Sequence, residues 1–551
     1  MPARSTLRLC LILPVSALFL ILAWWWPNRP AAGNVTMPAG KLKSVSFAPY
    51  RAWQSPLREQ FPSRAQTLAD LRLLKRHVDA VRTYSAIEGN YDVAALAHQV
   101  GLKVWQGIWL GSDVKKNEEE MARGIAMANR YPDTVTRVIV GNEVLLRRDL
   151  PPAALIADIE RVKRAVRQPV SYADVWEFWE QFPEIARHVD FMTIHILPYW
   201  ENHPVPIGRA IAHVREVYDR IHALIPEKPI VIGEAGWPSR GRWRQGAAPS
   251  RVNEAIFVRR FVTFADRHHV PYNLIEAFDQ DWKYQLEGIV GANWGLWTAD
   301  RRRKFPLHGP VVENPSWPED AAIGIAAGLV LFLLVLPSDR PDAARAWRLA
   351  VLAMALGGAF SFAWAGIVPA IYDDALLLSA IVNLAGQAAL AFLLMDRAAL
   401  VLAGLPLPRP RNGEDATETM RALLCFRFPR AQWVRWRAWL LDDLSFLFVW
   451  TACVMQAQLV FDPRYRAFPL PMFAVPLSGI VARSVLGDLP RSGGGREELL
   501  AGAALGMGAV ASTVIEGPLN HQALTWNAAA LLLAAPMLLR LRIRKARPLA
   551  A

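Results

Sequence analysis

The sequence predicts a (β/α)8 TIM barrel followed by an all-α polytopic transmembrane domain. Three observations carry this. Between Lys43 and Pro310, short β-rich runs alternate with helical stretches eight times. Two of those runs end in a glutamate, as expected where strands deliver side chains to one mouth of a barrel. From residue 320 onward the chain consists largely of long apolar runs separated by arginine-rich connections.

Composition agrees with this division. Of 551 residues 53% are hydrophobic and 20% charged, and the apolar excess sits in residues 320–551. The formal net charge is +13, but much of the arginine flanks apolar runs. That reads as membrane topology, and no nucleic-acid partner is expected. The three cysteines are Cys10, Cys425 and Cys453, none of them in the globular part, so cysteine supplies neither a disulfide framework nor a metal site there.

Taken in order, residues 1–26 read as an N-terminal transmembrane anchor. Leu9–Trp26 is long enough to span a bilayer, and Trp24, Trp25 and Trp26 suit an interfacial belt. A cleaved signal peptide is the rival reading. Residues 27–42, rich in Pro, Gly and Ala, read as a linker. The barrel is assigned to residues 43–312. Its strands are expected at Ser44–Pro49, Asp79–Tyr84, Leu102–Ile108, Thr136–Val140, Pro169–Ala173, Asp190–Ile196, Pro229–Gly233 and Tyr272–Ala277. Pro151–Val166 opens on two prolines and repeats apolar residues at helical spacing, a covering helix. A doubly wound sheet is disfavoured because no Gly-x-Gly-x-x-Gly turn follows the first strand. Residues 320–547 form the C-terminal membrane domain of about seven helices, expected at 321–337, 349–370, 375–395, 438–460, 468–486, 498–516 and 522–540. The arginine-rich connections all fall on the side of the N-terminus. Both termini should then be cytoplasmic and the barrel periplasmic, in a multi-pass protein of a bacterial inner membrane.

Two stretches carry chemistry. Arg137–Glu143 and Val231–Ser239 each bring an apolar run to an acid, Glu143 and Glu234. Paired carboxyls at one mouth suit glycoside cleavage, in which one protonates the leaving oxygen and the other attacks C1 or activates water. Like-charge repulsion from Glu234 should raise the pKa of Glu143 and keep it protonated. Trp53, Trp105, Trp109, Trp176, Trp200, Trp237 and Trp282 lie near expected strand ends, where ring faces suit sugars; rim packing is the alternative. His195 reads as a hydrogen-bonded core or rim histidine, with a catalytic group as the alternative. Gln432-Trp433-Val434-Arg435-Trp436 matches a motif of processive glycosyltransferases. The surrounding loop is too short for a nucleotide-binding domain, so the match reads as chance. Asp442 and Asp443, at a helix end near Arg435 and Arg437, read as ion-paired, with a glucan or proton path as the alternative.

The flanking residues resemble glycoside hydrolase family 17, the β-1,3-glucanases and glucanosyltransferases. Ile139-Val140-Gly141-Asn142-Glu143-Val144 is similar to that family's acid/base strand, and Glu234-Ala235-Gly236-Trp237-Pro238-Ser239 to its nucleophile strand. Val45–Tyr50, Val81–Tyr84, Pro198-Tyr199, Glu276–Asp279 with Trp282-Lys283, and Trp294–Leu296 extend the likeness over roughly residues 44–300. The resemblance implies Glu143 as acid/base and Glu234 as nucleophile. It implies Asn142 on the sugar 2-hydroxyl and Tyr199 orienting Glu234. Tyr50, Tyr84, Trp237, Glu276, Asp279 and Lys283 would bind substrate, with no metal and no cofactor. Related microbial sequences often carry Glu where this chain has Gln280. The architecture also resembles bacterial membrane proteins described as β-1,6-glucan synthases. The expected activity is a retaining β-glucan transglycosylase. The alternatives are an endo-β-1,3-glucanase, or a glucan-binding or transport partner of a separate glucan synthase. Expected partners are a β-glucan and the lipid bilayer, with a separate glucan synthase as a further candidate.

Overall fold

The computed structural model describes residues 2–90, 92–335, 343–425, 436–490 and 492–541. It separates into two compact units: Pro30–Glu313, and Met1–Arg29 with Asn314–Ala551.

The first unit is a closed barrel of eight parallel strands in sequential order. The strands are β1 (Leu42–Ser46), β2 (Val78–Arg82), β3 (Lys103–Ile108), β4 (Val135–Asn142), β5 (Val170–Val175), β6 (Met192–His195), β7 (Ile230–Ala235) and β8 (Tyr272–Leu274). Valine and isoleucine are the commonest residues in them, because both faces are buried, one against helices and one in the lumen. Four of the covering helices start at side-chain caps. Ser63 and Gln66 form a reciprocal capping box, and Asp92, Asp113 and Ser250 cap the helices that follow them. The expected helix at Pro151–Val166 runs Pro152–Ala165.

The segment expected as a linker is docked on the barrel. Ala31 pairs with Val311, Arg259 donates to the Ala32 and Val35 carbonyls, and Met37 is buried. Its Pro and Gly residues suggested a free tether, but the backbone carbonyls found a buried arginine.

The second unit is helical. Six of its described helices are long and apolar enough to cross a bilayer: Trp317–Val335, Arg345–Ala370, Asp374–Ala403, Trp439–Phe461, Arg496–Glu516 and His521–Leu539. They are consistent with a multi-pass membrane protein. The N-terminal helix runs Pro2–Trp25. The span expected at 468–486 differs. A 3-10 turn at Leu470–Phe473 leads into a helix, Ala474–Val485, of only 12 residues. That is roughly 18 Å, short of a hydrocarbon core of about 30 Å. Pro469 and Pro471 in the approach account for the shortening. An unexpected helix, Gly413–Leu424, lies in the connection expected at 396–437. The Gln432–Trp436 motif falls almost wholly on residues 426–435, outside the described residues.

Asp442 and Asp443 are ion-paired, with arginines distant in sequence. Asp443 takes Arg411 at 2.8 Å and Asp442 takes Arg483 at 3.0 Å. Arg483 also reaches Asp488, which Arg397 grips with two nitrogens, and Arg540 faces Glu498 at 3.5 Å.

Candidate active site

The C-terminal ends of β2, β4, β6 and β7 converge on one cluster of charged side chains. β4 finishes through Gly141, at φ 82°, and then Glu143 itself at φ 53°. A Cβ at Gly141 would approach Val144 Cγ2 to 2.8 Å, so glycine is required where the strand curls. A left-handed non-glycine residue is uncommon and costs about 1–3 kcal/mol. This one is held by its N–H donating to the Ala173 carbonyl at 2.8 Å, and it turns the Glu143 side chain away from the strand direction. On β7, Gly233 leaves room for β6: a Cβ there would meet Thr193 Cγ2 at 2.3 Å and the His195 ring at 3.2 Å.

One oxygen of Glu143, one oxygen of Glu234 and a ring nitrogen of His195 lie within 4.8 Å of one another. His195 Nδ1 is 3.0 Å from Glu143 Oε1, and its Nε2 is 3.7 Å from Glu234 Oε1. Below them sits Arg82, with 1% of its side chain exposed. It donates through Nη1 to Glu234 Oε1 at 3.2 Å and to the Gly233 carbonyl at 2.8 Å. Nη2 donates to Asn142 Oδ1 at 2.5 Å. Tyr84 Oη donates to Glu234 Oε1 at 2.8 Å, with Ser46 Oγ equally close.

Electrostatics departs from the sequence expectation at Glu143. Burial pushes its carboxyl up. The hydrogen bond from His195, with the charges of His195, Arg147 and Arg82, outweighs burial and holds it below the usual range. The expectation of a raised value counted only the second carboxylate. It missed the cations that β2 and β6 place beside it.

The other expected residues divide by exposure. Lys283 donates to both oxygens of Glu276, at 2.8 and 2.9 Å, and Glu276 has no exposed surface. Asp279 is buried between Lys304 at 2.9 Å and the Gly295 N–H at 2.9 Å. Trp237 is fully buried, edge-on to Tyr199, with its indole N–H on the Ala248 carbonyl. Tyr199 is also buried, and its hydroxyl donates to the Arg242 carbonyl; the phenol on Glu234 is that of Tyr84. Tyr50 is buried, its hydroxyl donating to Glu88. As placed, Glu276, Asp279, Trp237, Tyr199 and Tyr50 support the wall and offer a sugar little or no surface. Gln280 is buried too, bonded to the Ala48 and Phe278 carbonyls. Trp53 and Trp109 do present open ring surface, 50% and 37% exposed. Trp105 lies mid-strand inside the barrel, so it is no rim platform.

Arg82 and the bridging role of His195 were not singled out from sequence. The available signal was an arginine and a histidine at the ends of otherwise apolar strands, where a buried charge requires a partner. Among the described residues, Glu143, His195 and Glu234 form the one group able to hold a metal ion. Arg82 Nη1, 3.4 Å from His195 Nε2 and 3.2 Å from Glu234, already supplies positive charge at that point and would oppose a second cation.

Residues 44–295 match the model of the BtgE/BtgC glycoside hydrolase domain. The matched stretch is the barrel, a little under half of the chain. The chain is an enzyme that acts on O-glycosyl bonds. A glucan 1,3-beta-glucosidase of Schizosaccharomyces pombe is 28% identical over 258 residues, 44% of this chain and 80% of that protein. One of Arthroderma benhamiae is 29% identical over 272 residues, 45% and 85% of the two chains. A solved glycoside hydrolase family 17 beta-1,3-glucanosyltransferase from Rhizomucor miehei is similar with TM-score 0.43 and 25% identity, covering 49% of this chain and 98% of that one.

Proposed function

We propose that this protein is a membrane-anchored retaining β-glucan transglycosylase. It cuts a β-1,3-glucan and passes the glycosyl unit to a second glucan, by branching, elongation or cyclisation, with β-1,6 links among the products. The observation that carries the reading is the approach of Glu143 and Glu234 oxygens to within 4.8 Å. Retaining enzymes hold their carboxyls about 5–5.5 Å apart, whereas inverting ones leave about 6.5–9.5 Å for a water.

In this reading Glu234, buried and braced by Arg82 and Tyr84, is the nucleophile. Its carboxylate oxygen bonds to C1 as the C1–O bond to the leaving sugar breaks. Glu143 gives that departing oxygen its proton. The proton reaches Glu143 across the 3.0 Å contact with His195 Nδ1. With Glu234 esterified its charge is gone, and Glu143 then takes the proton of an incoming hydroxyl as that oxygen displaces Glu234 from C1. Asn142, its Oδ1 held by Arg82, has its amide N–H left for the sugar 2-hydroxyl. No nucleotide sugar is needed, because the glycosyl-enzyme conserves the bond energy. That suits a barrel outside a bacterial inner membrane, the orientation that the arginine-rich connections support.

Hydrolysis is the second reading, favoured by the names of the relatives from Schizosaccharomyces pombe and Arthroderma benhamiae. The two separate on products. Purified protein is incubated with β-1,3-gluco-oligosaccharides, with Glu234→Gln as control. Products longer than the donor, or new β-1,6 signals by NMR, support transfer; only shorter products support a glucanase. Equal inactivity of wild type and Glu234→Gln on several β-glucans would refute both and favour a glucan-binding partner of a separate synthase.

A further inference from the structure

The end of the barrel away from Glu143 and Glu234 holds a cavity of about 820 Å³. It is lined by the N-terminal ends of strands, including Lys43 of β1, Asp79 of β2, Lys103 of β3 and Arg137 of β4, with Lys41 and Asp266 beside them. This volume falls within the range of about 300–1,000 Å³ typical of small-molecule sites. Four cations thus face two carboxylates. The lysines at the mouth are anchored. Lys41 donates to the Lys75 carbonyl, Lys103 to that of Asp133, and Lys43 lies 3.6 Å from Asp79.

Arg137 is different. Its guanidinium carbon lies 4.5 Å from the centre of the Trp105 ring and 5.3 Å from that of Phe191. Those rings belong to the small apolar cluster that fills the lumen, with Ala80, Ile139, Ala173 and Val231. Among the described residues Arg137 has no ion pair, and its Nη1 is buried without a hydrogen-bond partner. A guanidinium clamped between two rings and denied a carboxylate is costly to bury. The cost is recovered if an anion enters the cavity and accepts from it.

We propose that this floor cavity is a second binding site, for a small organic anion bearing a phosphate or carboxylate group, with Arg137 as its anchor and Lys103 and Lys43 at its mouth. Such a site is separate from the Glu143–Glu234 cluster and independent of the reaction assigned to it.

The test uses the full chain in detergent. Calorimetric titrations are run with inorganic phosphate, glycerol 3-phosphate and, as neutral control, glycerol; phosphatidylglycerol vesicles form a separate arm. Arg137→Met keeps the stem and removes the orphan charge, a change expected to leave folding intact. Near-UV circular dichroism checks this. The expected result is millimolar or tighter binding of the anions, no binding of glycerol, and an affinity loss of about tenfold or more in Arg137→Met. Binding to the vesicles alone, lost in Arg137→Met, would make the anion a lipid headgroup. Equal anion binding by wild type and Arg137→Met, or no binding to any probe at millimolar concentration, would overturn the proposal. If Arg137→Met does not fold, Lys103→Gln, which alters an exposed side chain, carries the test: several-fold weaker binding supports the site and unchanged binding overturns it.

Discussion

Replacing Arg82 by methionine should damage the barrel twice, in stability and in rate. Arg82 is 1% exposed and gives hydrogen bonds to Glu234, Asn142 and the Gly233 carbonyl. Methionine fills much of the same space, so the loss is electrostatic. It leaves the Glu234 carboxylate buried without its cation. Breaking a buried pair from one side costs about 3–5 kcal/mol. Arg82 Nε is itself buried without a partner, which takes the expectation towards the lower end. For a domain of this size each kcal/mol is worth about 2 °C, so the barrel should melt about 6–10 °C lower. The two side chains proposed to hold the sugar and attack it also lose their shared brace. A misplacement of about 1 Å can cost roughly 100-fold, so kcat/KM on β-1,3-gluco-oligosaccharides should fall by at least about that factor. Arg82→Lys keeps a charge but cannot span Glu234 and Asn142, and should recover stability more than rate. Melting followed by tryptophan fluorescence, with initial rates below the transition, measures both. A methionine variant that melts with wild type and keeps its rate would refute the reasoning.

Other expectations follow from the same geometry. His195→Phe removes the hydrogen bond and charge that hold Glu143 low and leaves burial, which raises it. In the proposed mechanism Glu143 acts protonated, so the alkaline limb of the kcat/KM profile should move to higher pH, with a lower rate because His195 no longer passes on the proton; no movement, or movement downward, would contradict the assignment. Burial pushes Glu276 up to about 7 from an ordinary 4.5, against the opposing charge and hydrogen bond of Lys283. The folded chain then binds more protons than the unfolded one in that window. The stabilisation is present below pH 4.5 and lost as pH rises to about 7. Glu276→Gln should flatten that slope in thermal melts, and an unchanged slope would count against it. In the helical unit, Asp488→Asn leaves Arg397 and Arg483 short of a shared carboxylate, and should cost about 3–5 kcal/mol, visible as reduced yield and lower melting in detergent; wild-type yield and melting would contradict it.

The barrel was legible because its strands are short, apolar and regularly spaced, and most boundaries fall within two residues of expectation. The two glutamates were legible for the same reason: each ends an apolar strand, and the strand ends of a barrel face one mouth. What sequence could not supply was contact across the mouth. Arg82, Asn142, His195 and Glu234 are far apart in the chain and meet only once the barrel closes. The family resemblance implied that Glu276 and Asp279 meet the substrate. Lys283 and Lys304, from the chain that follows β8, bury and neutralise them. The docked Ala31–Met37 segment was hidden by its Pro/Gly composition, and Arg137 by lying inside an ordinary-looking strand.

The most direct test of the central claim is to trap the glycosyl-enzyme. With a 2-deoxy-2-fluoro-β-laminaribiosyl fluoride, one carboxylate should bond to C1 as the C1–F bond breaks and fluoride leaves, and the glycosyl ester should turn over slowly enough to survive digestion and mass spectrometry. The expected result is a disaccharide adduct on the peptide carrying Glu234, absent from Glu234→Gln, with products of the β anomer on the natural substrate. An adduct on another residue, or α-anomeric first products showing inversion, would contradict it.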